Sequence, residues 1–163
     1  MNCSKPTAVP LGGHLMLSKD DCPKTKIEQE CMAEIPYDVV VGSVMYCMLC
    51  TRPDLAFGIS LLSRFVSNPG DPHWQAIKYF LRYLCGTKFL SLVFSGYGLK
   101  SDLFGYCDSD YASNRDNRKS TSGMFSTWCG NCISWKAQLQ SVVALSSTEA
   151  EYIAVTNASK EAL

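Results

Sequence analysis

The stretch Thr121-Ser122-Gly123-Met124-Phe125-Ser126-Thr127-Trp128-Cys129-Gly130-Asn131-Cys132-Ile133-Ser134-Trp135 decides the class of fold. Thr121–Trp128 and Cys132–Trp135 read as two strands, and Cys129-Gly130-Asn131 between them reads as a hairpin turn. Upstream, the aromatic-rich run Leu103–Asp108 is a further strand, and Phe89–Ser95 is a weaker candidate. Downstream, Val142–Leu145 extends the second hairpin arm or forms a short strand. Ser147-Thr148-Glu149-Ala150-Glu151 then opens a helix that reaches the C-terminus. Two pairs there have capping-box spacing, Thr148 with Glu151 and Ser146 with Glu149, and the sequence does not choose between them.

Further upstream the period changes from two to 3.6. Val40, Val44, Cys47 and Met48 mark one helix face. Arg52-Pro53-Asp54 ends that helix and starts another, with proline at its first position and an acid in its first turn. Leu55, Ile59, Leu62 and Val66 give the buried face of this second helix. Asn68-Pro69-Gly70 closes it, and Asp71, read as an N-cap, opens a third over Trp74, Ile77, Leu81 and Leu84, with Gly86 as the stop. Residues 37–100 are therefore a helical region of about three short antiparallel helices. Residues 1–36, punctuated by Pro6, Pro10, Gly12, Gly13, Pro23 and Pro36, read as an extended tether with one short helix at Lys26–Ala33. The fold class is α+β: a small helical segment followed by a β-β-β-α unit over residues 101–163.

Of the 163 residues 47% are hydrophobic and 18% charged, enough apolar material for a core and against wholesale disorder. No run approaches the roughly 18 consecutive apolar residues of a membrane span. The opening Met1-Asn2-Cys3-Ser4-Lys5-Pro6 is not a secretory signal, so the expected setting is cytoplasmic or nuclear, without a membrane. The nine cysteines are then read as reduced thiols, several of them buried as small hydrophobes. Net charge is zero, but residues 39–100 carry six bases against two acids. That net +4 region suits a polyanion partner, and a solvated helical surface accounts for it equally well.

Among groups that carry chemistry, Asp108 and Asp110 stand two apart at a strand end and so share a face. Glu149 stands in the first turn of a helix. Together these carboxylates are hard oxygen ligands of the kind that hold Mg²⁺ or Mn²⁺. The bland reading is a turn residue and a helix-dipole partner. Cys47-x-x-Cys50 and Cys129-x-x-Cys132 lack zinc-ribbon spacing and read as incidental thiols. His73, after Asp71-Pro72, reads as a surface or capping residue, and His14 has no partner at ligand spacing. Neither a Ser-His hydrolase arrangement nor a phosphate-binding glycine loop is present. Tyr79, Phe80 and Tyr83 among Lys78, Arg82 and Lys88 fit nucleic-acid contact or plain helix packing.

Several word-like stretches are more specific. They are Val41-Gly42-Ser43-Val44-Met45-Tyr46, Cys50-Thr51-Arg52-Pro53-Asp54-Leu55-Ala56, Leu62-Ser63-Arg64-Phe65, Asn68-Pro69-Gly70 with His73-Trp74, and Leu81-Arg82-Tyr83-Leu84 with Gly86-Thr87. They continue as Gly105-Tyr106-Cys107-Asp108-Ser109-Asp110-Tyr111-Ala112, Arg118-Lys119-Ser120-Thr121-Ser122-Gly123, Ile133-Ser134-Trp135-Lys136, and Val143-Ala144-Leu145-Ser146-Ser147-Thr148-Glu149-Ala150-Glu151-Tyr152. In this order they closely resemble the Pol polyproteins of copia-type (Ty1/copia) retrotransposons, over nearly the whole chain. The resemblance implies that residues 1–36 leave the reverse transcriptase palm. Residues 37–100 would be thumb and connection, and 101–163 the truncated N-terminal half of a ribonuclease H domain. It implies catalytic and Mg²⁺- or Mn²⁺-binding roles for Asp108 and Glu149, with Asp110 beside them. Arg64, Lys78, Arg82 and Lys88 would grip nucleic acid. Glu151 would then serve the helix cap and leave Glu149 for metal.

The implied partners are an RNA–DNA hybrid and the remainder of Pol. The family's third carboxylate falls beyond Leu163, so strong hydrolysis of RNA in hybrids is not expected from this chain alone. The first strand is expected to be an open edge. An alternative is a non-catalytic nucleic-acid-binding or interaction module. Copia-like pieces of this extent also resemble oomycete proteins catalogued as secreted RxLR effectors, although this chain shows neither a signal peptide nor an Arg-x-Leu-Arg motif near its start.

Overall fold

A computed structural model describes residues 5–13, 15–94 and 102–162. The chain divides into two compact units, Met1–Ser91 and Leu92–Leu163. His14, Ser95 and Lys100 lie outside the described residues.

The first unit is helical: α1 (Lys26–Ala33), α2 (Tyr37–Thr51), α3 (Ala56–Leu62) and α4 (Asp71–Gly86), with single 3₁₀ turns at Lys19–Asp21, Pro53–Leu55 and Ser63–Phe65. Thr25 starts α1 through a capping box. Its Oγ1 accepts the Glu28 N–H at 3.3 Å, while Glu28 Oε2 accepts the Thr25 N–H at 3.2 Å. Pro53 opens the 3₁₀ turn that leads into α3, where a missing N–H costs nothing.

The buried faces are rotated from those expected. In α2, Tyr37, Val41 and Val44 are buried with Met45 and Met48 packed beside them, and Cys47 is exposed. Nearly every residue of α2 is apolar, so two neighbouring faces fit the same period. The Tyr37 hydroxyl selects between them by donating to the Leu62 carbonyl at 2.9 Å in the interior. Leu55, Ile59 and Leu62 are buried as expected. Phe65 is buried, and Val66 is exposed. In α4 the buried residues are His73, Ala76, Ile77, Phe80 and Tyr83, with Trp74, Leu81 and Leu84 at the margin. Full burial of side chains such as Ile59, Leu62, Ile77 and Phe80 contributes roughly 1.5–3 kcal/mol each.

His73 is a capping residue and not a surface one. Its ring is fully buried and stacks on Phe65 with centroids 4.0 Å apart. Its Nδ1 accepts the Gly70 N–H at 2.9 Å, and Gly70, not Asp71, is the N-cap of α4. α4 runs through Gly86 to a C-cap at Thr87.

The stretch expected as an extended tether is packed over part of its length. Leu17 joins the core, with Leu11, Leu15 and Cys22 against it. The Asp21 carbonyl sits where a Cβ on Gly70 would have to go.

One polar clasp ties the helix ends. Arg52 donates to both Asp54 oxygens, at 3.0 Å and 2.8 Å, and also to the Thr87 hydroxyl at 2.7 Å and carbonyl at 3.3 Å. Tyr83 donates its hydroxyl to Asp54 at 2.7 Å. Burial alone would raise the Asp54 carboxyl. The Arg52 and Tyr83 hydrogen bonds and the Arg52 charge outweigh it and hold the carboxyl below the usual carboxylate range.

The second unit is an antiparallel sheet of β1 (Leu103–Asp110), β2 (Thr121–Trp128) and β3 (Asn131–Leu139), in the order β1-β2-β3, followed by α5 (Ser147–Glu161) packed on β1 and β2. The fold is thus α+β, a helical segment followed by a β-β-β-α unit. β1 pairs only with β2 among the described residues. Cys129 and Gly130 have φ of 50° and 73°, the two left-handed positions of a two-residue hairpin turn. β3 therefore begins at Asn131 and runs beyond Trp135, through a polar stretch (Lys136, Gln138) that carries little apolar signal. Phe89–Phe94 and Val142–Leu145 form no strand.

The interior of this unit is unlike the first. Its buried hydrophobic residues are Ala144, Ala150 and Ala154, whereas Asn114, Ser120, Thr121, Ser122 and Gln140 are buried polar. Ser120 Oγ accepts the Ala112 N–H at 3.0 Å, Ser113 and Thr121 hydroxyls pair at 3.1 Å, and Ser122 Oγ accepts from Gln140 at 2.9 Å. None of the eight described cysteines is fully buried, contrary to expectation. Among the described residues no single helix is long and apolar enough to cross a membrane, although α1 and α2, bent by 51°, reach that composition together.

Three outcomes follow. Gly70→Ala drives a methyl into the Asp21 carbonyl and lowers stability by about 1–3 kcal/mol. Gly42→Ala, on an exposed helix position with open space around it, raises stability by about 0.5–1 kcal/mol. Chemical denaturation of both variants checks the signs. Because the folded-state pKa of Asp54 is depressed, its contribution is present above the unfolded value and lost as pH falls through the folded one. Asp54→Asn therefore costs about 1 kcal/mol at neutral pH, a figure kept small because the carboxylate is partly solvated. The gap to the parent closes between about pH 5 and pH 2, as thermal melts across that range will show.

Candidate functional site

Strand geometry places the first two carboxylates. Along β1, Cys107 and Ser109 are half-buried while Asp108 and Asp110 are exposed, so the two acids share the face that alternation assigns to Tyr106. Asp108 pairs across the ladder with Gly123 and Asp110 with Thr121. Asp108 Oδ1 accepts the N–H of Ser109 at 2.9 Å, which leaves Oδ2 for another partner.

The third carboxylate is set by the cap of α5. Ser146 is the N-cap, and its Oγ accepts the Glu149 N–H at 3.1 Å. Glu149 Oε2 turns back to accept the Leu145 N–H at 2.7 Å. The cap is therefore Ser146 with Glu149. The assignment of Glu151 to it is corrected: Ser146, not Thr148, is the N-cap, so the residue three along is Glu149 and not Glu151.

A residue without a sequence signal joins the two segments. Gln140 follows β3 directly and is 2% exposed. Its Nε2 donates to the Ala150 carbonyl at 2.9 Å, to Ser122 Oγ at 2.9 Å and, at the limit of a hydrogen bond, to Ser109 Oγ at 3.5 Å. Ser109 follows Asp108 in the chain, and Ala150 follows Glu149. The backbone N–H of Gln140 also donates to the Ser120 carbonyl at 2.9 Å. Alternation puts Ser109, and not Asp108, on the face covered by α5, so the carboxylates of β1 and α5 approach from different sides of the edge strand.

Carboxylate oxygens are the donor type that Mg²⁺ and Mn²⁺ take, and Asp108, Asp110 and Glu149 fit a hard cation in kind. They fall short in number: among the described residues no three His, Cys, Asp or Glu side chains come together as a metal cage.

The basic residues lie on the helical unit. Lys78 and Arg82 are one turn apart on α4 and half-buried, and the Arg82 Nε is removed from solvent. The Arg82 guanidinium lies 5.1 Å over the Tyr79 ring, and the Lys88 ammonium lies 5.0 Å over Phe89. Neither these two nor Lys78 joins an ion pair among the described residues. Arg64, in the 3₁₀ turn after α3, is half-buried.

No protein-family model and no solved structure matches the chain. Curated relatives do. The retrovirus-related Pol polyprotein from transposon TNT 1-94 of Nicotiana tabacum is 52% identical over 163 residues, 99% of this chain and 12% of its own length. The corresponding polyprotein from transposon RE2 of Arabidopsis thaliana is 37% identical over 161 residues, 99% of this chain and 10% of its own length. Secreted RxLR effector protein 161 of Plasmopara viticola is 46% identical over 132 residues, 81% of this chain and 92% of its own length. The chain thus spans about a tenth of the polyproteins it matches. High identity to Pol polyproteins along its whole length settles its descent: the chain belongs to the Pol polyprotein family of copia-type retrotransposons.

Proposed function

We propose that the chain is the passage from the helical end of a reverse transcriptase into the ribonuclease H domain of such a polyprotein. The observation that carries this reading is the β-β-β-α order with Asp108 on the first strand and Glu149 in the first turn of the helix. In the complete polyprotein the reaction would be hydrolysis of RNA in an RNA–DNA hybrid. A divalent cation held by Asp108 and Glu149, with Asp110 beside them, would supply Lewis acidity and an activated water. The chain's own residues do the positioning. β1 holds Asp108 with one oxygen committed to the Ser109 N–H, Ser146 caps the backbone N–H of Glu149, and the Leu145 N–H fixes the Glu149 rotamer. Two such carboxylates leave most of a cation's six or so ligand positions to water, so the chain alone does not carry the reaction at a useful rate.

Lys78, Arg82 and Lys88, with Arg64, supply the grip on the phosphate backbone. Cation–π contact with Tyr79 and Phe89 restrains two of the heads without neutralising their charge. A second reading, an interaction module without catalysis, is favoured by the Plasmopara viticola relative, nine-tenths of which this chain covers.

Two measurements test the proposal. With Mg²⁺ and a labelled RNA–DNA hybrid, the chain cuts no faster than Asp108→Asn; metal-dependent cutting abolished by that substitution would overturn the claim of inactivity. Hybrid binding weakens with salt at a log–log slope of about −3 to −4 for four phosphate contacts, and Arg82→Ala or Lys88→Ala lowers the slope by about 1. Binding that ignores salt removes the nucleic-acid reading and leaves the interaction module.

A further inference from the structure

We infer that Gln140 is the positioning residue that fixes the Glu149-bearing turn of α5 against the Asp108-bearing strand; the inference rests on the ribonuclease H reading above. One amide nitrogen reaches three elements: the Ala150 carbonyl of α5, Ser122 of β2 and Ser109 of β1. Two of those three residues are the immediate chain neighbours of the candidate carboxylates. The amide acts only as a donor, since Gln140 Oε1 is buried without a hydrogen-bond partner in the structure. Its orientation is nevertheless set, because the Ala150 carbonyl only accepts, and an amide oxygen turned toward it would set acceptor against acceptor.

Fully buried apolar packing gives this link little support. The fully buried side chains of this unit are alanines, hydroxyls and amides, and its buried apolar groups, Ala144, Ala150 and Ala154, have little surface with which to fix a helix in one register. Ala150 and Ala154 permit a close approach of α5, and a small contact of that kind tolerates sliding along the axis. A directional bond to the first-turn carbonyl does not. A further polar link of α5 to the sheet is at its far end, Lys136 to Glu161 at 3.7 Å, and both partners are nearly half exposed. Gln140 therefore sets the height of Glu149 along β1, and the chain does so without using either carboxylate for the purpose.

The test uses the full 163-residue chain, ¹⁵N-labelled, and Mn²⁺ as the probe. In the parent, stepwise Mn²⁺ broadens the amide signals of Ser109 and Ala150 over the same concentration range, and Asp108→Asn shifts both responses. Gln140→Met fills the same space without a donor. With its fold verified by a dispersed spectrum and a cooperative melt, Gln140→Met keeps the response at Ser109 and needs about tenfold more Mn²⁺ at Ala150. Equal responses of the two amides in Gln140→Met overturn the inference. If the parent shows no broadening at either amide, the metal reading fails by itself. Hydrogen exchange then decides the positioning claim: about tenfold faster exchange of the first-turn amides of α5 in Gln140→Met, with β2 unchanged, upholds it, and unchanged exchange overturns it. Should Gln140→Met not fold, Gln140→Asn, which keeps the amide but is one methylene shorter, carries the same comparison.

Discussion

The donor bonds of Gln140 are the constraint on which the sheet unit depends. A three-stranded sheet with one helix has little interior to fill, and this one fills it with alanine methyls, serine and threonine hydroxyls and one amide. Burying polar groups without partners costs more than burying apolar ones, so such an interior is stable only if the hydrogen bonds close. They do for Ser120, Thr121 and Ser122, each tied to a different segment. The larger apolar groups of this unit, including Phe104, Tyr106, Phe125 and Trp128, lie outside that interior with roughly half their surface in solvent. Directional bonds replace bulk, which makes the unit specific in geometry and sensitive to single polar substitutions.

The helical unit is organised by the opposite principle. Leu55, Ile59, Leu62, Ile77 and Phe80 are wholly removed from water, and the polar groups that accompany them close helix ends. Tyr37 reaches the Leu62 carbonyl, His73 accepts the Gly70 N–H, and Arg52 joins Asp54 to Thr87. The motif words Arg52-Pro53-Asp54 and Gly86-Thr87 thus have a structural meaning: they are the two halves of one clasp, brought together across α3 and α4. A charged residue in this family's signature need not face a substrate, and Arg52 faces its own chain.

Element type was legible from the sequence because it rests on short-range rules. Pro53, the Thr25 capping box and the Cys129-Gly130 turn each act within a few residues and leave an unambiguous trace. Helix phase was less legible. In α2 and α4 apolar residues occupy more than one face, and the choice is made by Tyr37 and His73, whose polar atoms find partners 25 and 3 residues away. Phase therefore depends on satisfying a hydroxyl 25 residues away and a ring nitrogen within one turn, which no window of hydrophobicity registers. The site was half legible. Spacing put Asp108 and Asp110 on one strand face and Glu149 in a first turn. The choice between Ser146 and Thr148 as cap, and the role of Gln140, depend on where the backbone of α5 begins and on which carbonyl it offers to the sheet.

The cap at Glu149 bears on the site more than its modest energy suggests. A carboxylate that accepts a backbone N–H remains an anion with lone pairs to spare on both oxygens, so accepting from Leu145 does not remove Glu149 from cation binding. It does remove rotamer freedom: with Oε2 held at 2.7 Å from the Leu145 nitrogen, the side chain is fixed before any cation arrives. Asp108 is held in the same way, one oxygen on the Ser109 N–H and the other open. In the cation site proposed above, each of the two carboxylates would enter with one oxygen already tethered to a backbone N–H. Preorganisation lowers the entropic cost of assembling a site and does nothing for the number of ligands in it. The order of the two requirements is therefore clear: local hydrogen bonds restrain Asp108 and Glu149, while a cation cage in the proposed site would need more oxygens than these two carboxylates supply.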